Sequence, residues 1–373
     1  MKTTMLFLSD LHLRPRIKSG GVELEGDCLW AIEQIAGICK MIPDLTAIIV
    51  AGDIFDQKNV SPMELHLLKH LINVSGVPAN RWYTIQGNHD RGGDVAIPQS
   101  LGCTSLHKTL HTIGGVRVWG CDYIQDREEY LNVIQNAPET DIMVLHYPCK
   151  PFNGISESAF SPADFRDNVL TVIGDTHVCT ELHQGYKHLV SPGALFPQNK
   201  KELCSGNSCG GKLLVYDTDT CGKPVCEQLL IDIPLASRPG KDLSELDDIT
   251  SDIETLLSTW DTKYANAVPN SAGKPKPVIY VNAEAISRPI DNRVIPIRVL
   301  GRLDTNTTTE PLKTDVSLFA RIEQLVGAIC KDDPLAAEYA AIINSMLATR
   351  DPKDTVRQVL IKKGVKFKNE ATY

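Results

Sequence analysis

The sequence predicts an α/β sandwich of two mixed β-sheets flanked by helices, followed by a small α+β domain and C-terminal helices. Three observations predict it. Short apolar runs end repeatedly in glycine or in a carboxylate, imidazole or amide; helical stripes lie between several of them; and the composition shifts toward proline and glycine near residues 234–240. Strands alternating with helices imply parallel pairing.

Thr3 to Leu8 reads as a buried strand that runs into Ser9-Asp10-Leu11-His12. In extended geometry Asp10 and His12 point the same way, which is what two ligands of one metal ion need. A polar, Gly-containing loop from Ser19 to Gly26 leads into a helix with Leu29, Ile32, Ile35, Ala36 and Cys39 at helical spacing, ended by Pro43. The strand Ala47 to Ala51 follows and runs into Gly52-Asp53-Ile54-Phe55-Asp56, completing a βαβ unit.

Ser61-Pro62-Met63-Glu64 is a capping box with proline at the first helical position. Leu65, Leu68, Leu71 and Ile72 form the expected buried stripe of that helix. His66 and His70 fall on its polar side, without the glutamate of an H-E-x-x-H pair, and read as exposed, as do His107 and His111. Arg81 to Gln86 runs into Gly87-Asn88-His89-Asp90. Val116 to Gly120 is a short strand, and Tyr130 to Ile134 is helical.

Asp141 to Leu145 ends in His146, and Asn168 to Ile173 ends in Gly174-Asp175-Thr176-His177. Lys187 to Val190 precedes the turn Ser191-Pro192-Gly193. A hairpin, Lys212 to Tyr216 with Gln228 to Ile233, is expected to complete a second sheet. Beyond it come an acidic helix (Asp242 to Trp260), a flexible stretch (Pro269 to Pro277) and strands Val278 to Val281 and Val294 to Leu300. Asp304 to Glu310 is a polar linker. Stripes on Leu318, Ile322, Leu325, Val326 and Ile329, then Ala336, Tyr339, Ile342, Ile343 and Met346, make the remainder helical. The expected domains are 1–233, a 234–303 capping unit and a 304–373 helical region.

Composition bounds the function. With 42% apolar and 23% charged residues the chain is an ordinary globular one, and no apolar run approaches the ~20 residues of a membrane helix. The opening strand closes on Asp10 and so is no signal peptide, which makes the expected location cytoplasmic. The 11 cysteines, an odd number, then read as reduced thiols. Cys204, Cys209, Cys221 and Cys226 resemble a loose zinc ribbon, but the intervening strand from Lys212 to Asp217 separates the two pairs, so buried or loop thiols are expected. A net charge of −8 disfavours a nucleic-acid coat while permitting a local basic groove. Candidate patches are Arg14, Arg16 and Lys18; Lys200 and Lys201; and Arg357, Lys362, Lys363, Lys366 and Lys368.

Strands of one sheet deliver their C-terminal ends to a common rim, where the five motifs are expected to converge. The inventory there is Asp10, Asp53 and Asp175; His12, His146 and His177; Asn88; and His89. Oxygen and nitrogen donors without thiolate favour manganese, iron or zinc. They are too many for one tetrahedral ion and suit two ions sharing a carboxylate, an arrangement fitted to in-line displacement at phosphorus. His89, with Asp90 nearby to orient it, fits the acid that protonates the leaving oxygen.

D-x-H, G-D-x-x-D, G-N-H-D, a strand-end histidine and a final G-x-x-H resemble the calcineurin-like metallophosphoesterases. The wording around Ser9 to Leu13, Gly52 to Asp56, Ser191 to Gly193, Ile233 to Leu235 and Arg238-Pro239 is similar to that of SbcD-type DNA-repair nucleases. The resemblance implies a metallophosphoesterase sandwich with two metals, most simply manganese. Asp10, His12, Asp53 and His177 would hold one; Asp53 would bridge to a second, held also by Asn88, His146 and Asp175, with His89 as the catalytic acid. It further implies DNA as substrate, a groove shaped by the second domain, and C-terminal helices that bind the coiled coil of an SbcC-like ATPase. A homodimer fits the same picture. The family has G-H-x-H where this chain has Gly174-Asp175-Thr176-His177: Asp175 either ligates a hard ion, directly or through water, or does not reach. Alternatives on the same site are a phosphatase or small-nucleotide phosphodiesterase, and a scaffold without chemistry.

Overall fold

Along the first strand, β1 (Lys2–Leu8), alternate side chains enter two different cores, which is the signature of a strand buried on both faces. The computed structural model describes residues 2–299 except 20–21, 43, 91–96, 154–158, 206–208, 218–228, 245–248, 264–274 and 283–291. The chain divides into Met1–Gly301 and Arg302–Tyr373, and every described residue belongs to the first unit. The expected linker, C-terminal helices and basic tail lie outside the described residues, as does most of 269–277.

After β1 come β2 (Arg16–Ser19), β3 (Val22–Glu25), α1 (Asp27–Met41), β4 (Leu45–Ala51), α2 (Pro62–Ser75) and β5 (Trp82–Ile85). Next are α3 (Ile97–Ser100), β6 (Thr104–Ser105), β7 (Leu110–Ile113), β8 (Val116–Cys121), α4 (Arg127–Gln135) and β9 (Ile142–His146). Then follow α5 (Lys150–Asn153), β10 (Leu170–Gly174), β11 (Thr180–Gln184), β12 (Lys187–Ser191), α6 (Lys200–Ser205), β13 (Cys209–Asp217) and β14 (Leu229–Leu235). The chain continues through β15 (Gly240–Asp242), α7 (Thr250–Lys263), β16 (Val278–Asn282) and β17 (Ile295–Val299).

Two six-stranded mixed sheets result, β14-β13-β1-β4-β5-β6 and β11-β12-β10-β9-β8-β7. Met5, Phe7, Ile49 and Ala51 of the first meet Val118, Ile142, Val144 and Val172 of the second between the layers. Leu6, Leu8, Ile48 and Val50 face the other way, onto α1 and α2. Met143, Leu145 and Ile173 pack outward against Tyr130, Leu131 and Ile134 of α4. Period-two alternation on central strands therefore fills three layers, as the predicted sandwich requires.

Several local expectations change. Ser19 to Gly26 is not simply a loop, because β2 and β3 form an antiparallel ribbon across it. Leu29 and Leu65 are exposed; α1 buries Trp30 and Ala31 with Ile32 and Ile35, and α2 buries Leu67. The capping box at Ser61 and Glu64 forms as expected. The β13–β14 hairpin joins the first sheet, antiparallel to β1, rather than completing the second. Residues 240–242 are a strand, so the acidic helix begins only at Thr250.

The small β15-β16-β17 sheet is parallel, and one face packs on α7 through Ile279, Val281, Ile253 and Leu257. Its other face adds Val278, Tyr280 and Ile297 to the core of the first sheet. Arg238 (2% exposed) donates to both carboxylate oxygens of Asp27, each at 2.8 Å, and to the carbonyls of Glu25 and Lys276. No helix among the described residues is long and apolar enough to cross a membrane.

Candidate metal centre

Beyond the end of β1 the backbone stays stitched to the segment after β4: Asp10 N–H donates to Gly52 O, His12 N–H to Asp53 O and Leu13 N–H to Ile54 O. This zipper places Asp10, His12 and Asp53 side by side. Asp10, His12, Asp53 and Asp175 all adopt positive φ, from 40° to 73°. Left-handed backbone is uncommon for residues other than glycine and costs of order 1–3 kcal/mol where it is strained, so its concentration on four ligand candidates marks a site held in place by its surroundings.

The second sheet delivers the rest. Its β9 ends in His146 and β10 in Gly174, and these are paired in register. The motifs therefore do not share the rim of one sheet; they meet between two sheets. Close approach explains Gly174: a Cβ there would overlap the Ala51 carbonyl oxygen and lie 2.5 Å from His146 Nδ1. Likewise a Cβ at Gly87 would collide with the Asp53 carboxylate.

Around this junction, ligand atoms of Asp10, His12 and His177 lie within 4.8 Å of one another, as do those of Asp10, Asp53 and His146. Asp53 Oδ2 stands between the two histidines, 3.7 Å from His12 Nε2 and 3.3 Å from His146 Nε2. His177 Nε2 is 3.8 Å from Asp10 Oδ1. Asn88 Oδ1 is 2.9 Å from His146 Nε2. Asp175 sits at the rim, with Oδ1 3.9 Å from His146 Nε2 and its N–H donating to Asp10 Oδ1.

The donor set fits divalent cations. Asp10 is wholly buried and His12 is 3% exposed; His12 Nδ1 faces Asp56 Oδ1 at 3.5 Å, whereas Asp10 Oδ2 and His12 Nε2 have no hydrogen-bond partner among the described residues. Each such orphan costs about 1–3 kcal/mol, a cost removed by metal coordination. Electrostatics agree. Burial, with the like charges of Asp10 and Asp53, pushes the Asp175 carboxyl up to about 6 against the pull of His146. Burial also works on His177, but Glu202, Asp10 and Asp175 raise it to about 9. Burial would raise Asp53, yet His146 and His12 hold it below the usual carboxylate range. The crowded carboxylates raise one of their own number and hold the neighbouring imidazoles protonated, so the pocket favours positive charge.

Residues around the ligands orient them. His146 Nδ1 faces the Ala51 carbonyl at 2.8 Å, and His177 Nδ1 faces Glu202 Oε1 at 3.0 Å, leaving each Nε2 toward the cluster. Glu202, on α6, was not identifiable from the sequence, since no motif joins it to His177. His89 lies beside the cluster, its ring 4.9 Å from that of His12. Asp90 does not orient it. The Asp90 carboxylate instead accepts the backbone N–H groups of Ile54, Phe55 and Gly87, clamping two loops together, while His89 Nδ1 is held by the Asp56 carbonyl at 2.7 Å.

The other candidates lie elsewhere. His66 and His70 stack on the outer side of α2, and His107 accepts from the Asp122 N–H. Cys204 is a free thiol that burial pushes up to about 11. The side chains of Cys209, Cys221 and Cys226 lie outside the described residues. The basic candidates near the first motif are paired: Arg14 with Asp56 and Gln198, Arg16 with Glu23 and Glu25, and Lys18 with Glu23 at 3.9 Å. Lys200 pairs with Asp242 and lies over the Tyr280 ring.

Residues 3–164 match the family model described as calcineurin-like phosphoesterase. No curated protein sequence matches the chain. Among solved structures it is similar to YfcE, a phosphoesterase from E. coli, at 14% identity over 61% of this chain and 98% of that one, with a TM-score of 0.33. It is also similar to the Haemophilus influenzae NAD nucleotidase NadN, at 12% identity over 63% and 56% of the two chains (TM-score 0.38). A putative 5'-nucleotidase from Staphylococcus aureus shares 14% identity over 70% and 58% (TM-score 0.37).

Proposed function

We propose that this chain, whose residues 3–164 match calcineurin-like phosphoesterases, is a two-metal nuclease that hydrolyses the phosphodiester bonds of DNA. One observation carries the reading: Asp10, His12, Asp53, Asn88, His146 and His177 converge between two sheets with buried donor atoms left unpaired. Asp10, His12, Asp53 and His177 would hold one cation, and Asn88 and His146, with Asp175 at the rim, would hold a second across Asp53. Manganese suits these oxygen and nitrogen donors. When bound, such a pair lowers the pKa of water and offsets charge on the attacking and leaving oxygens.

The chain's own contribution is positional. Asp53 is fixed by the His89 N–H at 2.9 Å and, through the Asp90 clamp, by the loop that carries it. A carbonyl only accepts, so His89 Nδ1 carries a hydrogen toward Asp56 O and Nε2 remains for the substrate. In its protonated form Nε2–H donates to the leaving oxygen; afterwards the ring regains a proton from water. Backbone hydrogen bonds between the loops hold Asp10, His12 and Asp53 in their left-handed conformations, so the donors are in place before substrate arrives. The SbcD-like wording favours DNA, with the 234–303 segment shaping a groove and the 304–373 region docking the coiled coil of an ATPase partner.

A second reading, a phosphatase or small-nucleotide phosphodiesterase, is favoured by the pairing of Arg14, Arg16 and Lys200 with carboxylates, which leaves them less available to a DNA backbone. Assaying the purified full chain with manganese on linear duplex DNA, single-stranded DNA and small phosphoesters separates the two. Polymer degradation abolished by His89→Ala is the expected result. Turnover confined to small esters selects the second reading, and manganese content well below one ion per chain selects a scaffold.

A further inference from the structure

Sharing no residue with the catalytic cluster, the β11–β12 ribbon carries its own group of metal-capable side chains. In its antiparallel register His183 faces His188, one rung from the turn at Gly185 and Tyr186. Glu181 stands two residues before His183 and so projects from the same face. The two rings stack with centroids 4.0 Å apart. Both Nε2 atoms converge on a single oxygen, Glu181 Oε1, at 2.7 and 2.8 Å.

An exposed His–Glu pair is ordinary surface polarity, and two features separate this group from one. The carboxylate is fixed from behind: Glu181 Oε2 lies 3.5 Å from Nζ of Lys212, a lysine only 1% exposed that reaches across from β13 and also pairs with Asp232. The turn is pinned as well, since the Asn168 N–H donates to Tyr186 O at 2.9 Å and Lys187 Nζ lies 2.8 Å from Asp167. Ligands held by a rigid ribbon and a buried partner need little ordering on binding.

The geometry points to a zinc-class divalent cation site formed by Glu181, His183 and His188, which staples the ribbon following His177. Two imidazoles and one carboxylate are a borderline donor set that leaves a fourth, tetrahedral position to water. A cation would replace the hydrogens that now bridge the Nε2 atoms to Glu181 Oε1. Bonds of ~2.0–2.1 Å at tetrahedral angles need donor separations of about 3.3 Å, so the side chains open by only about half an ångström. Ser191, at the end of the same ribbon, donates to Thr176 O at 2.9 Å, a backbone tie that needs no cation and holds the His177 loop whether or not the ribbon is stapled.

The test compares full-length wild type with a His183→Gln, His188→Gln double variant and with Glu181→Gln. Zinc retained after dialysis is measured by elemental analysis, and imidazole ¹⁵N spectra are recorded during zinc titration. Wild type is expected to keep about one equivalent more than either variant, with the Nε2 signals of His183 and His188 losing their N–H character, while manganese-supported phosphoester turnover is the same in all three. Equal zinc content in wild type and Glu181→Gln, which retains hydrogen bonding to both rings, overturns the assignment whatever the double variant does. So do imidazole signals at His183 and His188 that zinc leaves unmoved.

Discussion

His146 presents Nε2 to the side-chain oxygen of Asn88 at 2.9 Å, inside a ring of oxygens completed by Asp53 and Asp175. Its Nδ1 must carry a hydrogen, because its partner is the Ala51 carbonyl. Without metal, Nε2 can face those oxygens favourably only if it is protonated too. Burial opposes that charge, but Asp53 foremost, then Asp10 and Asp175, raise His146 above its ordinary value. His177, at about 9, is likewise protonated at neutral pH.

Metal binding must therefore expel protons. Both imidazoles sit above neutrality without metal, so affinity for manganese should rise between pH 6 and 8, by roughly tenfold per pH unit for each proton displaced. Calorimetry in buffers of different ionisation enthalpy measures the release directly. Heats independent of the buffer would contradict the protonated pocket.

Gly174→Ala tests whether close approach, rather than chemistry, sets this part of the pocket. Its Cβ would displace the Ala51 carbonyl or the His146 ring, and so the hydrogen bond that orients that ring. Overpacking of this kind costs about 1–3 kcal/mol. Urea unfolding should show that loss, and manganese stoichiometry should fall although no donor atom has been removed.

Arg238 and Asp27 make a buried two-point ion pair where the β15–β17 segment meets the first core, with side chains only 1% and 2% exposed. Removing one partner strands the other charge, at a cost of about 3–5 kcal/mol. Arg238→Ala should lower the urea midpoint substantially. Replacing both residues by apolar side chains of similar size should recover much of the loss, and a double variant as unstable as the single one would show that packing, not charge, holds the junction.

Much of this centre was legible because its donors close apolar runs, so Asp10, Asp53, His146 and Asp175 each stand out at a strand end. What was not legible depends on distant pairing. Sequential strands usually neighbour one another, so the β13–β14 hairpin reads as part of the second sheet; in the fold it returns to β1, and the site forms between layers. Leu29 and Leu65 fit a helical stripe by spacing, but Ala31 and Leu67 join the core of the first sheet instead, and Trp30 is buried against Trp260 of α7. Asp90 follows His89 in sequence, and adjacency suggested an orienting role, whereas its carboxylate turns back onto three backbone N–H groups.

Glu202 shows what such distance conceals. It holds His177 Nδ1 and accepts the Gln198 N–H through its other oxygen, so it fixes the ring without touching a metal position. Replacing an outer partner of a ligand histidine weakens metal affinity by about 10–100-fold. Glu202→Gln should weaken one manganese site to that extent and leave the other unchanged. It should also lower the His177 pKa in metal-free protein, visible by NMR titration, because the principal group raising it is gone.

His89 is separable from the ligands by the chemistry it is assigned. Its ring hangs from the Asp56 carbonyl while its own backbone N–H supports Asp53, so replacing the side chain keeps the second contact. His89→Asn should therefore retain manganese but lose about 10²–10⁴-fold in turnover, the range for a positioned acid. The loss should depend on the leaving group. An ester that departs as nitrophenolate needs little protonation and should be hydrolysed almost as fast by the variant, whereas an alkyl ester or a nucleotide linkage should show the full deficit. A uniform deficit across leaving groups would move His89 from proton donation to substrate positioning.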